Sequence, residues 1–206
     1  SSDVCSSDLA LACAPVAYAA DAPSVLPEVR VVDTAPLPGP GLPIDRVPAN
    51  VQTLSGARID AAPGASVGEL LERNLGGVHV NDTQGNPYLA DVNFRGFSAS
   101  PVLGTPNGLS VFVDGVRVNE AFGDTVNWDL IPRAAVSGIA LMPGSNPVFG
   151  LNTLGGALVV NTKSGLTDPG TRLRASGGSF GRQTYEFQSG GYGARADYFE
   201  IGRAHV

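Results

Sequence analysis

The sequence predicts an α+β domain, a small mixed sheet with short helices, followed by antiparallel strands of a second kind. Three observations lead there. Of 206 residues 43% are apolar, enough for a core, while only 16% are charged and 27 are Gly and 16 Pro. That balance favours many turns and strands over long amphipathic helices. Residues 66–76 carry helical periodicity behind a capping signal, and from residue 171 onward the apolar spacing becomes two.

A net charge of -6 argues against binding a phosphate backbone, which needs clustered Lys and Arg, so nucleic acid is not an expected partner. The only cysteines, Cys5 and Cys13, precede the expected mature start, so neither a disulfide framework nor a cysteine metal site is expected. Residues 9–20 are too short an apolar run to span a bilayer but fit a secretory signal peptide, with Ala17-Tyr18-Ala19 as the cleavage site. Residues 1–19 are read as a signal-peptide remnant. The first nine residues lack the Met and basic start of such a peptide, and 201–206 leave the preceding pattern; both are read as assembly scars.

Residues 20–48 are Pro-rich and form an extended linker, within which Glu28, Val29, Arg30, Val31, Val32, Asp33 and Thr34 make a β-prone island. Its chemistry fits either a docking N-terminal arm or a peptide captured by strand addition to another protein's sheet. The folded domain, residues 49–165, opens on a strand near Val51 and Thr53. Ser66 and Glu69 form a capping box, Val67, Leu70, Leu71 and Leu75 the buried stripe, and Gly76 the left-handed C-cap. Strands follow at Val78 to Val80 and at Val92 to Phe97. Asp114-Gly115 joins two alternating runs in a hairpin. Trp128 to Pro132 reads as a short helical turn and Val136 to Met142 as a strand. Gly155-Gly156 before Ala157 to Val160 indicates close backbone packing and then a buried strand.

From residue 171 to 200, Arg172 and Arg174 alternate with Leu173 and Ala175, and Thr184, Glu186 and Gln188 with Tyr185 and Phe187. One polar and one apolar, aromatic-bearing face suits either lipid-facing barrel strands or a soluble meander. No catalytic residues are assigned. Gly177-Gly178-Ser179-Phe180-Gly181 matches a nucleophile elbow, but a β-alternating run follows where a helix is needed. His79 stands alone between valines, so no metal site and no cofactor are expected.

Gly144, Pro147, Phe149-Gly150, Gly155-Gly156 and Asn161-Thr162-Lys163 stand in the order found at the end of the plug domain of TonB-dependent outer-membrane receptors. Val92 to Phe97, ending in Arg95-Gly96-Phe97, resembles the family's Arg-Gly-Phe strand, and the island at 28–34 resembles its TonB box. The resemblance implies an α+β plug domain followed, at 171–200, by the first strands of a truncated antiparallel transmembrane β-barrel. It further implies an active-transport receptor of the Gram-negative outer membrane, in contact with membrane lipid. Such a receptor takes up a scarce nutrient, a ferric siderophore or else cobalamin or another large solute, and is driven by TonB. Partners implied are TonB, the protein's own barrel and a metal chelate or other nutrient.

Plug loops facing the ligand correspond here to Gln84, Asn86, Ser100, Phe122, Asp124 and Trp128. Many plugs are latched to barrel carboxylates by two Arg-Gly arginines. This chain keeps Arg95 but has Met142-Pro143-Gly144 in place of the second, so half of that latch is missing. The alternative reading is a soluble periplasmic plug-like ligand-binding or signalling module.

Overall fold

A computed structural model describes residues 31–32, 42–62, 66–86, 89–178 and 183–205. The signal-peptide segment, most of the 28–34 island and Ser179 to Gly181 of the elbow-like pattern lie outside the described residues. Val31–Val32 (β1) pairs antiparallel with Leu42–Pro43 (β2). Gln52–Ser55 (β3) runs directly into a short helix, Gly56–Asp60 (α1). Sequence periodicity gave no sign of α1. It forms because Gly56 lets the chain seat on a neighbouring strand, where a Cβ would lie 2.6 Å from the Ser137 carbonyl oxygen.

The helix Val67–Asn74 (α2) carries the expected capping box: the Glu69 amide donates to Ser66 Oγ at 3.2 Å and the Ser66 amide to Glu69 Oε2 at 3.3 Å. Such a cap stabilises a helix by about 1 kcal/mol. Val67, Leu70, Leu71 and Leu75 are buried as their spacing predicted. The left-handed glycine is Gly77 at φ 78°, one residue later than expected, because Leu75 is extended and delays the reversal.

Val78–Asp82 (β4), Ala90–Phe94 (β5) and Phe97–Ala99 (β6) form a three-stranded antiparallel sheet. Arg95-Gly96, expected inside a strand, is instead the two-residue turn between β5 and β6, with φ 52° and 88°. Leu109–Val113 (β7) and Val116–Arg117 (β8) form the hairpin expected around Asp114-Gly115, whose φ values of 48° and 80° are those of a type I′ turn. The Asp114 carboxylate also accepts from the amide and hydroxyl of Thr162, at 2.8 and 2.6 Å, pinning the hairpin to the last strand of the sheet.

Trp128–Leu130 is the predicted helical turn, in 3-10 form; Arg133–Ala135 is another, leading into Val136–Pro143 (β9). Gly156–Thr162 (β10) completes a five-stranded mixed sheet of order β3-β9-β10-β7-β8, in which β10 and β7 are parallel and the other pairs antiparallel. Both faces are covered, so β10 reads as an unbroken apolar run. One face packs Leu54, Leu71, Phe94, Val111, Leu141 and Leu158 together with α2 and the small sheet. The other holds Phe112, Met142, Phe149 and Val159. A Cβ on Gly155 would collide with the Phe97 ring, and one on Gly156, at φ 150°, with the Met142 carbonyl, which is why the pair must be glycine.

Gly170–Gly177 (β11), Gln183–Tyr192 (β12) and Asp197–His205 (β13) make a separate antiparallel sheet. The alternation was expected to end at 200, yet β13 stays paired with β12 through His205. Ladder hydrogen bonds need only backbone, so loss of side-chain pattern does not end a strand.

Candidate functional site

Through β11 and β12 the β11–β13 sheet is inside-out relative to a soluble protein. Its buried face is polar: Glu186 and Gln188 are 6% and 5% exposed against the α+β domain. Across β11 and β12 its outer face is apolar, with Leu173, Tyr185 and Phe187 exposed; on β13 the register puts Tyr198 on that face together with exposed Glu200, and Phe199 and Ile201 on the inner one. The register explains this, because Leu173 pairs with Phe187, Arg172 with Gln188 and Arg174 with Glu186 across β11 and β12.

The buried polar face closes onto a cluster at the C-terminal end of α1. Arg133 donates through Nη2 to Glu186 Oε2 at 2.6 Å and through Nη1 to the Ile59 carbonyl at 3.0 Å. Glu186 also accepts from Gln188 Nε2 at 2.8 Å and Arg174 Nη1 at 3.4 Å. Lys163, its side chain 1% exposed, donates to both Asp60 oxygens at 2.9 and 3.1 Å and to Gln188 Oε1 at 3.4 Å. Arg174 reaches the Asp60 carbonyl at 3.2 Å, and the more exposed Arg172 the Asp60 carboxylate at 3.3 Å. Cations at the free carbonyls of a helix end are favourable, and each buried charge here has a partner. Breaking such a pair from one side is costly because it leaves the other charge desolvated.

Arg133 and Lys163 thus join domain and strands where the sequence pointed to Arg95. Arg95 lies exposed in its turn, its guanidinium 5.0 Å from the Phe94 ring centre, and among the described residues it makes no ion pair. Sequence reasoning missed Arg133, which follows a proline in a 3-10 turn and carries no motif. Lys163 was visible only as the end of the Thr-Lys step.

At the opposite end of β10, loops 100–107, 119–127 and 150–154 converge on Asp124, itself at φ 53°. Its carboxylate pairs with Arg117 at 2.9 Å and accepts from Asn152 Nδ2, while its carbonyl accepts from Asn107 Nδ2 at 3.0 Å and Asn119 Nδ2 at 3.4 Å. Asp124 is therefore the knot of these loops rather than a free ligand-facing group. Two further expectations are corrected. Trp128 is 4% exposed, in the core, donating from Nε1 to the Ala99 carbonyl at 2.9 Å. Ser100 is buried and shapes the loop, accepting from the Val102 amide at 3.3 Å. Indole and hydroxyl satisfy their polar atoms internally, which lets both be buried. Phe122 is exposed, as the expectation required. Asn86 is exposed and, like Gln84, lies by the separate β4–β5 connection; the Gln84 side chain is outside the described residues. Among the described residues no group of acidic, His or Cys side chains is arranged to hold a metal ion.

A small α+β domain docked on the polar face of strands whose other face is apolar is the architecture of a plugged transmembrane barrel. The family model described as TonB-dependent Receptor Plug Domain matches residues 43–157, and the chain belongs to that family, whose members are receptors of the Gram-negative outer membrane. A vitamin B12 transporter, BtuB of Vibrio cholerae, is 30% identical over 143 residues, covering 69% of this chain and 22% of that protein. The chain thus spans about a fifth of the curated relatives it matches. The siderophore receptor PiuA of Acinetobacter baumannii has the same fold at TM-score 0.60 and 18% identity, covering 79% of this chain and 21% of that one. A chain of the FpvAI–pyocin S2 complex aligns at TM-score 0.59 and 15% identity, covering 80% of this chain and 20% of that one. The family is one of receptors and transporters rather than enzymes.

Proposed function

We propose that this chain is the plug and first strands of an active-transport receptor that takes up a scarce nutrient, a ferric siderophore or cobalamin, with energy delivered by TonB. The observation that supports it most is the docking of the plug, through Arg133 and Lys163, onto the polar inner face of strands whose outer face is apolar. A soluble periplasmic module has no use for an exposed apolar sheet face. The island at 28–34 is the TonB box in this reading; its described part, Val31–Val32, is an extended strand paired along one edge with Leu42–Pro43, so strand addition would use its other edge or displace that pair. The load would enter through β3, an edge strand whose only ladder partner among the described strands is β9, and elements of low local stability yield first. Arg95, exposed in its turn, is proposed to meet carboxylates of barrel strands beyond the three described here. Gln84, Asn86 and Phe122 remain proposed ligand-facing positions.

The test is nutrient uptake by cells expressing the full-length receptor, with and without TonB. Uptake is expected to need TonB and to be lost in Val31→Pro, which removes a backbone donor from the ladder, while nutrient binding at the cell surface persists. Uptake that continues without TonB would refute the reading.

A further inference from the structure

We infer that the solute received at the loop end of the plug is uncharged and has an apolar face, and is not a polyanionic chelate; this rests on the uptake reading above. Loops 100–108 and 144–155 contain no charged residue, and residues 118–128 contain only Glu120 and Asp124. The β4–β5 connection, 83–89, is equally uncharged.

The cation nearest these loops in the chain is Arg117, and it is spent inside the knot. Its Nη2 is bound to Asp124 at 2.9 Å and its Nη1 to the Leu151 carbonyl at 2.9 Å. Glu120 remains, accepting from Asn127 Nδ2 at 2.6 Å and from Thr125 Oγ1 at 3.1 Å, and stays exposed. A polyanion brought here would shed water, gain no counter-charge and meet a carboxylate.

The knot instead presents carbon. Phe122 is 79% exposed and Leu151 86%, and Leu103 and Leu154 are also exposed. These side chains belong to one surface, since Leu103 lies over Gly123, Arg117 ties the Leu151 backbone to Asp124, and Asn152 ties Asp124 to the Asn107 carbonyl. Apolar contact area with a few amide and carbonyl edges is what an uncharged solute with an apolar face requires.

The experiment compares binding and TonB-dependent uptake by the full-length receptor of three probes: cyanocobalamin, a neutral ferric trihydroxamate and a trianionic ferric tricatecholate. At least one neutral probe is expected to bind roughly tenfold or more tightly than the trianion, and Phe122→Ser to weaken it by roughly tenfold, the loss expected for one exposed aromatic contact. Phe122→Lys is expected to improve binding of the trianion. A trianion that binds as tightly as either neutral probe, or neutral binding untouched by Phe122→Ser, overturns the inference while leaving uptake intact. If no probe is taken up in a TonB-dependent manner by receptor correctly inserted in the membrane, the uptake reading falls, and this inference with it.

Discussion

The five-stranded sheet of the plug and the three-stranded sheet that follows it obey opposite rules with the same backbone. The first covers both faces of its central strands with hydrocarbon, and β7, β9 and β10 read as largely apolar runs. The second alternates, burying Glu186 and Gln188 and exposing Leu173 and Phe187. Period-two alternation tells a strand it has two faces without telling it which face is inside. What lies outside decides that: against water the apolar face turns in, and against lipid it turns out.

The contrast can be broken first at Arg133. Arg133→Ala leaves Glu186 buried with only Gln188 and the partly exposed Arg174 as partners and removes one of the two donors to the Ile59 carbonyl, so a loss of about 3–5 kcal/mol is expected in denaturant unfolding of the refolded receptor. The double change Arg133→Met with Glu186→Leu should restore most of it; failure to do so would mean that the polarity of this face itself stabilises the docking. In the apolar sheet, Leu158→Ala should cost about 2–5 kcal/mol in the same assay, through a cavity instead of a stranded charge. Leu173→Lys probes the outer face: a loss of up to about 2–4 kcal/mol is expected if it meets the bilayer middle. An unchanged stability in lipid would place that face in water.

The smallest expected effect concerns Asp91 on β5, a carboxylate treated unlike Glu186. Its Oδ1 is buried without a hydrogen-bond partner, and burial pushes its pKa above the ordinary carboxylate range. A raised folded-state pKa means that its contribution to stability is present at acid pH and is lost as pH rises through that pKa. Asp91→Asn should therefore stabilise the plug at neutral pH and change little in acid, a difference measurable by thermal unfolding at the two pH values. Equal effects at both would show that Asp91 is solvated.

Much of the plug was legible because its signals are local. Ser66 and Glu69 cap α2 within one turn, Asp114-Gly115 sets the hairpin, and Gly155-Gly156 marks the close approach to Phe97 and Met142. The misreadings share a different cause. Arg95-Gly96 looks like strand in sequence, but arginine adopts φ 52° here because the short β5–β6 pairing forces a two-residue turn. Helix α1 has no periodic pattern and exists because Gly56 fits against Ser137. Trp128 and Phe122 are both aromatics flanking one loop, and only packing sent the first into the core and the second outward.

The sequence by itself determined that there are two kinds of sheet, where the helix α2 begins, which turns take positive φ at Asp114-Gly115, and that the loop end carries almost no charge. Those properties belong to neighbours along the chain, whose geometry is fixed by covalent spacing and local hydrogen bonds. The tertiary structure alone decided that Arg133 and Lys163, rather than Arg95, hold the described strands, and that Asp124 ties the loops together. Each of those roles depends on partners dozens of residues away, such as Arg133 with Glu186 and Asp124 with Asn152. A buried charge is tolerable only where folding delivers its counter-charge, and no local pattern records that delivery.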